Sequence, residues 1–263
     1  MKRIVLCADD YGTGPCVDGA IRALVDAGRL GAVSCQVAAP GFAASAPPLA
    51  GRAERVDLGL HLDLAPGRAG LRGLLLRSAL GAIDGPAVAR AVDAQLDAFE
   101  RAFGRAPDFV DGHQHVHQLA GVRGPLLDRL FARYGGALPW VRNTVPLRPR
   151  GSKSLLLAAL GGLALRRALR GRGVRHNADF AGVYALAPGA RYRELARAWL
   201  ASAQDGALLM CHPGLAPGDA GDPIGPARAV EHAYLASAAF DEDCAAAHVA
   251  RVRFGALAPR TQG

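Results

Sequence analysis

Residues 3–37 read RIVLCADDYGTGPCVDGAIRALVDAGRLGAVSCQV. An apolar run from Arg3 to Ala8 stops at two aspartates, a helical pattern follows from Val17 to Ala27, and a second apolar run spans Ala32 to Val37. Strand, helix and strand in so short a span form a βαβ unit, in which the helix carries the chain back so that the strands lie parallel. A parallel sheet is covered on both faces, which is why its strands read as continuous apolar runs. This stretch predicts an α/β protein.

The rhythm repeats along the chain. Val56 to Leu64 alternates into a third strand. Val88, Val92, Leu96, Phe99 and Phe103 fall at helical spacing, with Asp84-Gly85-Pro86 before them and Gly104 after them. A side-chain cap, a fixed φ and a residue tolerant of the left-handed turn are the physical signals of a helix start and stop. Asp108–Asp111, Trp140–Arg142, Phe180–Tyr184, Ala207–Cys211 and the region Val249–Phe254 read as further strands. Pro125–Tyr134, Ser152–Arg170, Tyr192–Ala203 and the region Ala227–Ala239 read as helices. Seven or eight strands predict a closed or nearly closed barrel. No linker composition or fixed-period repeat divides the chain, so a single domain over 1–263 is expected.

Hydrophobic residues make up 51% and charged residues 21%, enough for a large core and against disorder. The net charge is +8, but Lys2 and Lys153 are the only lysines, no aromatic residues interleave with the arginines, and no recognition module is legible. Nucleic acid is therefore not expected as a partner. Cys7, Cys16, Cys35, Cys211 and Cys244 are odd in number and include no C-x-x-C pair, which suits a reducing compartment. The first apolar run is short for a signal peptide, and Leu155–Leu165 is about half a membrane span. A soluble cytoplasmic protein is expected, and a homo-oligomer is compatible with all of this. Leu156, Leu160 and Leu163 stand at core spacing, followed by Arg166, Arg167, Arg170, Arg172 and Arg175. That basic run, 166–175, reads as a solvated face, with peripheral contact to an anionic membrane or lipid-linked substrate as the sharper alternative.

The reactive side chains cluster at strand ends. Asp9 and Asp10 follow the first strand, and His61 lies in the third. Asp111, His113, His115 and His117 follow the next, Arg142 another, and His212 ends a late one before Pro213-Gly214. In an α/β barrel these ends share one mouth, where active sites are built. Adjacent carboxylates repel, so a cation or proton must offset them; one could bind metal while its neighbour acts as a base, or either could cap the next helix. Alternate histidines in an extended 113–117 would share one face and so a ligand set, or orient ligands and contact substrate. His61 alone would read as a core residue and His212 as a turn. Arg142 either orients Asp9 through a charge-assisted bond or makes an ordinary ion pair.

Ala8-Asp9-Asp10-Tyr11-Gly12, Gly59-Leu60-His61-Leu62, Asp111-Gly112-His113-Gln114-His115-Val116-His117 and Met210-Cys211-His212-Pro213-Gly214, in this order, resemble the YdjC-type (ChbG/HpnK) carbohydrate deacetylase family. Phe180-Ala181-Gly182-Val183-Tyr184 adds to the likeness. The resemblance implies a distorted TIM-like barrel, a divalent metal, and removal of an N-acetyl group from an amino sugar in an oligosaccharide or lipid-linked glycan. It implies Asp10, His61 and His113 as metal ligands, Asp9 as the free carboxylate and catalytic base, and His212 as the late catalytic histidine and acid. Tyr11, where the family usually has Phe, together with His115 and His117, is expected beside them in substrate binding or support. The resemblance suggests Mg²⁺, whereas two imidazoles and a carboxylate suit Zn²⁺. Two rivals share these residues: another metallohydrolase such as a phosphoesterase, and a non-catalytic sugar-binding or membrane-surface protein.

Overall fold

Strand β1 (Lys2–Tyr11) is the axis of the sheet. In the computed structural model, which describes residues 1–64, 67–187 and 189–257, it pairs with β2 (Ala32–Cys35) on one side and β7 (Ala207–Cys211) on the other. Outward from β2 lie β3 (Asp57–Leu62), β4 (Phe109–Gly112) and β5 (Trp140–Val141); beyond β7 lies β6 (Asp179–Ala181). A last strand, β8 (Val249–Arg251), pairs with the start of β1. Among the described residues all eight strands run parallel, as the βαβ reading requires. The expected single domain over 1–263 extends past the described residues at 258–263.

The sheet curls into an open barrel surrounded by helices. Period-two alternation sorts β1 into two layers. Ile4, Leu6 and Ala8 join the outer core beneath the helices, while Val5 and Cys7 face inward with Phe109, Trp140, Phe180, Leu208 and Met210. Phe254 plugs the base, its ring centroid 4.9 Å from that of Phe109 and 5.5 Å from that of Trp140. Between β5 and β6 the seam is held by side chains: Asn143 N donates to Asn177 Oδ1 (2.8 Å), and Asn177 Nδ2 donates to Asn143 O (2.8 Å).

Helix α1 is Pro15–Asp26, and two helices the sequence did not announce follow, α2 (Phe42–Ala50) and α3 (Gly67–Ala79). The next, α4 (Gly85–Phe103), starts and stops as its flanks predict. Asp84 accepts a bond from Ala87 N at 3.1 Å, and Gly104 takes φ 67°. After α5 (Arg123–Tyr134), the expected single helix over Ser152–Arg170 is instead α6 (Ser152–Leu157), a π-type turn (Ala158–Gly162) and α7 (Leu163–Gly171). Gly161, at φ 131°, breaks it, and a Cβ there would lie 2.4 Å from Gln118 O. The period was right and the face was wrong. Ser154, Ala158 and Gly162 turn inward, small enough for this close approach, and leave Leu156, Leu160 and Leu163 about half exposed. The chain closes with α8 (Tyr192–Ser202), α9 (Gly225–Leu235) and α10 (Ala238–Ala246), the last two separated at Ser237 where one helix was expected.

Candidate metal centre and active site

The inward face of the sheet is apolar at its base and ionic at its mouth. Along β1 the inward positions run Val5, Cys7, Asp9. Alternation alone would send Asp10 outward. Its φ of 70°, with a shift in the β1–β2 register between Ala8 and Tyr11, turns it to the same side. On β3 the inward residues are Gly59 and His61, and Gly59 leaves room for the Phe109 ring, whose nearest atom would lie 2.4 Å from a Cβ there. Asp111, opposite His61 in the ladder, completes the ionic layer.

Asp10, His61 and His113 each offer one ligand atom, and these atoms lie within 4.8 Å of one another. Asp10 Oδ1 is 3.4 Å from His61 Nε2 and 3.1 Å from His113 Nδ1. On its other side, His61 Nδ1 lies 2.6 Å from Asp111 Oδ1, which also accepts a bond from Ser34 Oγ at 2.6 Å. Donation from Nδ1 leaves the Nε2 lone pair facing Asp10, the usual way a supporting carboxylate aims a ligand histidine. Burial disfavours charge on His61, but Asp111 and Asp10 outweigh it and push the imidazole up to about 10. Nε2 thus faces surroundings that favour a cation. Two nitrogens and a carboxylate oxygen form a donor set that fits a divalent ion.

Cys7, Asp9 and Asp111 also lie close enough to share an ion. That space is filled by the Arg142 guanidinium, itself fully buried. Arg142 Nη1 donates to Asp9 Oδ2 (2.7 Å) and Nη2 to Asp9 Oδ1 (2.6 Å), while Nη2 also lies 2.5 Å from Asp111 Oδ2 and 3.2 Å from Cys7 Sγ. Burial would raise the Asp9 carboxyl; the guanidinium overcomes it and holds the group below the ordinary carboxylate range. The two adjacent aspartates are therefore offset separately, Asp9 by Arg142 and Asp10 by Arg228, whose Nη2 donates to Asp10 Oδ2 at 2.7 Å. Arg228 is in turn held by Asp222 through Nε at 2.6 Å.

These groups open into a cavity of about 610 Å³ whose walls include Asp9, Asp10, His61, His113, His115, His212 and Arg228. The scale suits a small organic ligand.

The chain matches the YdjC-like protein family over residues 3–246. It belongs to that family. Among curated relatives, a human carbohydrate deacetylase is 34% identical over 139 residues, 46% of this chain and 42% of that protein. A chitooligosaccharide deacetylase of Enterobacter sp. (strain 638) is 30% identical over 151 residues, 52% and 58% of the two chains. The chain thus spans about half the length of the curated relatives it matches. A crystal structure of a putative cellobiose-phosphate cleavage protein from Enterococcus faecalis superposes with a TM-score of 0.68, at 19% identity over 98% of this chain and 99% of that one. That likeness carries the barrel fold.

Within this YdjC-like barrel the expected histidine tract takes an unexpected form. Residues 113–118 are 3₁₀ turns, with Gln114 and His115 left-handed at φ 51° and 62°, so the three imidazoles diverge rather than share a face. His113 meets Asp10; His115 enters the cavity wall with its ring perpendicular to that of Phe180 (centroids 5.7 Å apart). His117 turns inward, fully buried, and its Nε2–H donates to Arg142 O at 3.1 Å. Burial drives His117 down to about 4, so it is neutral and serves the backbone under Arg142. Tyr11 is also buried away from the cavity walls, its hydroxyl donating to Ser45 O at 2.7 Å. Arg228 and Glu231 went unforeseen. They lie on α9, and ordinary polar residues on a helix carry no signal of where that helix docks. Fully buried Glu231 accepts from His212 N (2.6 Å) and Tyr184 Oη (2.6 Å), pinning the segment that presents His212.

Proposed function

We propose that this chain, as one domain, removes the acetyl group from an N-acetylated amino sugar by hydrolysis. The observation that carries this reading is the meeting of Asp10, His61 and His113, from three separate strand ends, beside an ionised Asp9 in one cavity. The names of the related deacetylases support the substrate class.

The three residues would hold one divalent ion, Mg²⁺ by kinship or Zn²⁺ by donor chemistry. When bound, such an ion polarises the acetyl carbonyl and acidifies water. Asp9 is the base. Arg142 keeps it ionised and fixes its direction, but the same pairing makes it a weak base, matched to a water already made acidic. His212, on the cavity wall, donates the proton the departing amine needs. His115, held neutral by burial with Arg142 nearby, contacts substrate rather than shuttling charge. Arg228 and Arg142 keep the two aspartates from repelling one another out of place.

The test is acetate release from N-acetylated chitooligosaccharides by the Mg²⁺- or Zn²⁺-loaded protein, with phosphate esters run in parallel. Acetate release lost in Asp9→Asn supports the reading; phosphate release without acetate overturns it.

A further inference from the structure

The leucines that the sequence placed in the core form an exposed stripe. Along 152–171 the exposed large side chains are Lys153, Leu155, Leu156, Leu160, Leu163, Arg167 and Arg170, and from Leu156 onward they recur every three or four residues. The four leucines are 48–58% exposed. The opposite side, Ser154, Ala158, Gly162, Leu165 and Leu169, is buried. This is an amphipathic helix turned inside out in its first half, with apolar bulk outward where small residues meet the protein.

Its electrostatics point to a partner. No acidic residue occurs anywhere from 129 to 178. Most basic side chains elsewhere on the protein have a carboxylate nearby, but among the described residues Arg148, Arg166, Arg167 and Arg170 form no ion pair. Partial burial, with repulsion from Arg170 added, lowers the Arg166 pKa, so these two arginines stand close to one another without a counter-charge. Half-exposed leucines continuous with unpaired arginines match an anionic bilayer, where leucine enters the acyl boundary and the guanidinium reaches lipid phosphate. Nucleic acid or an acidic protein would satisfy the arginines and leave the leucines in water. No helix among the described residues is long and apolar enough to cross a membrane, so contact is in the plane.

The stripe also lies beside the cavity. Gln118 Nε2, at the end of the histidine turns, donates to Leu157 O (2.9 Å), and Lys153 Nζ reaches the carbonyl of Tyr184, a cavity-wall residue (3.4 Å). We infer that the segment 152–171 docks this protein on anionic lipid surfaces through Leu155, Leu156, Leu160 and Leu163 with Arg167 and Arg170. The inference stands apart from the deacetylase reading, since docking requires no turnover.

Flotation with vesicles tests it. The wild-type protein should float with phosphatidylcholine vesicles containing phosphatidylglycerol, less so with pure phosphatidylcholine, and less as salt rises. Arg167→Gln/Arg170→Gln should weaken partition roughly 30-fold, from the attraction each basic residue contributes near a charged surface. Leu156→Gln/Leu160→Gln should weaken it by at least about tenfold, because binding scales with buried apolar area. Both variants should melt as the wild type does and release acetate from a soluble N-acetylated oligosaccharide at the wild-type rate. Wild-type protein that stays out of anionic vesicles overturns the inference, as does partition that neither variant changes. So would leucine substitutions that dissociate a dimer in lipid-free sedimentation, which would make the stripe a contact between copies. Vesicle binding without any acetate release would leave the docking surface standing and remove the deacetylase reading.

Discussion

Asp10 owes its place to one backbone angle. A positive φ at a non-glycine residue costs on the order of 1–3 kcal/mol and persists where the surroundings over-determine it; here Arg228, His61 and His113 all bond its carboxylate. Asp10→Ala, His61→Ala and His113→Ala should each lose stoichiometric divalent metal, measured by calorimetric titration. Asp9→Asn should keep the metal and lose about 10²–10⁴-fold in rate, as should His212→Ala. Replacing Arg142 by Met should cost about 3–5 kcal/mol in denaturant unfolding, because Asp9 and Asp111 would be left buried without their counter-charge. His117 supplies a pH signature. Burial, only partly opposed by Asp111, lowers it from 6.5 to about 4. The unfolded chain therefore binds a proton that the fold refuses, so its contribution is complete above pH ~6.5 and lost as pH falls toward 4. A shift of that size is worth about 3 kcal/mol, and His117→Gln should flatten the dependence of unfolding free energy on pH across that window.

At the scale of elements, parallel strands bring distant residues together, and glycines let the strands approach. Gly182, directly after β6, has φ 103°, and a Cβ there would lie 2.2 Å from Met210 O. Gly182→Ala should destabilise by roughly 2–4 kcal/mol, lowering the melting temperature by about 2–4 °C for each kcal/mol in a chain of this size; calorimetry reads it directly. Such close approaches are invisible in sequence, which explains what could and could not be read there. Most strands were legible as short apolar runs, β3 by its alternation, and α4 because its cap and stop are written in Asp84 and Gly104. Helix α2 was not, since Pro47 and Pro48 sit inside it and argue against helix on local grounds. Asp10, His61 and His113 were candidates because each follows or interrupts an apolar strand, and the family resemblance singled them out as ligands. Their geometry could not be read in full: the 113–117 tract looked extended, and only the tertiary fold imposes left-handed turns at Gln114 and His115.

For the whole molecule, the barrel separates a structural base from a charged mouth. The base is plugged by aromatic rings, and the mouth gathers the acids Asp9, Asp10 and Asp111 with the imidazoles of His61, His113, His115 and His212, a set of carboxylates that needs cations beside it. Binding an ion to the folded state alone should stabilise the fold by about 2.7 kcal/mol at a hundredfold excess over Kd, so chelation should lower the melting temperature by several degrees in wild type and leave His113→Ala unmoved. The most direct measurement of the central claim pairs two readouts on the same samples: equivalents of divalent metal bound, and acetate released from an N-acetylated chitooligosaccharide. The account predicts one equivalent and acetate release in the wild type, one equivalent without acetate in Asp9→Asn, and neither in His113→Ala. Undiminished acetate release by metal-free His113→Ala would contradict it.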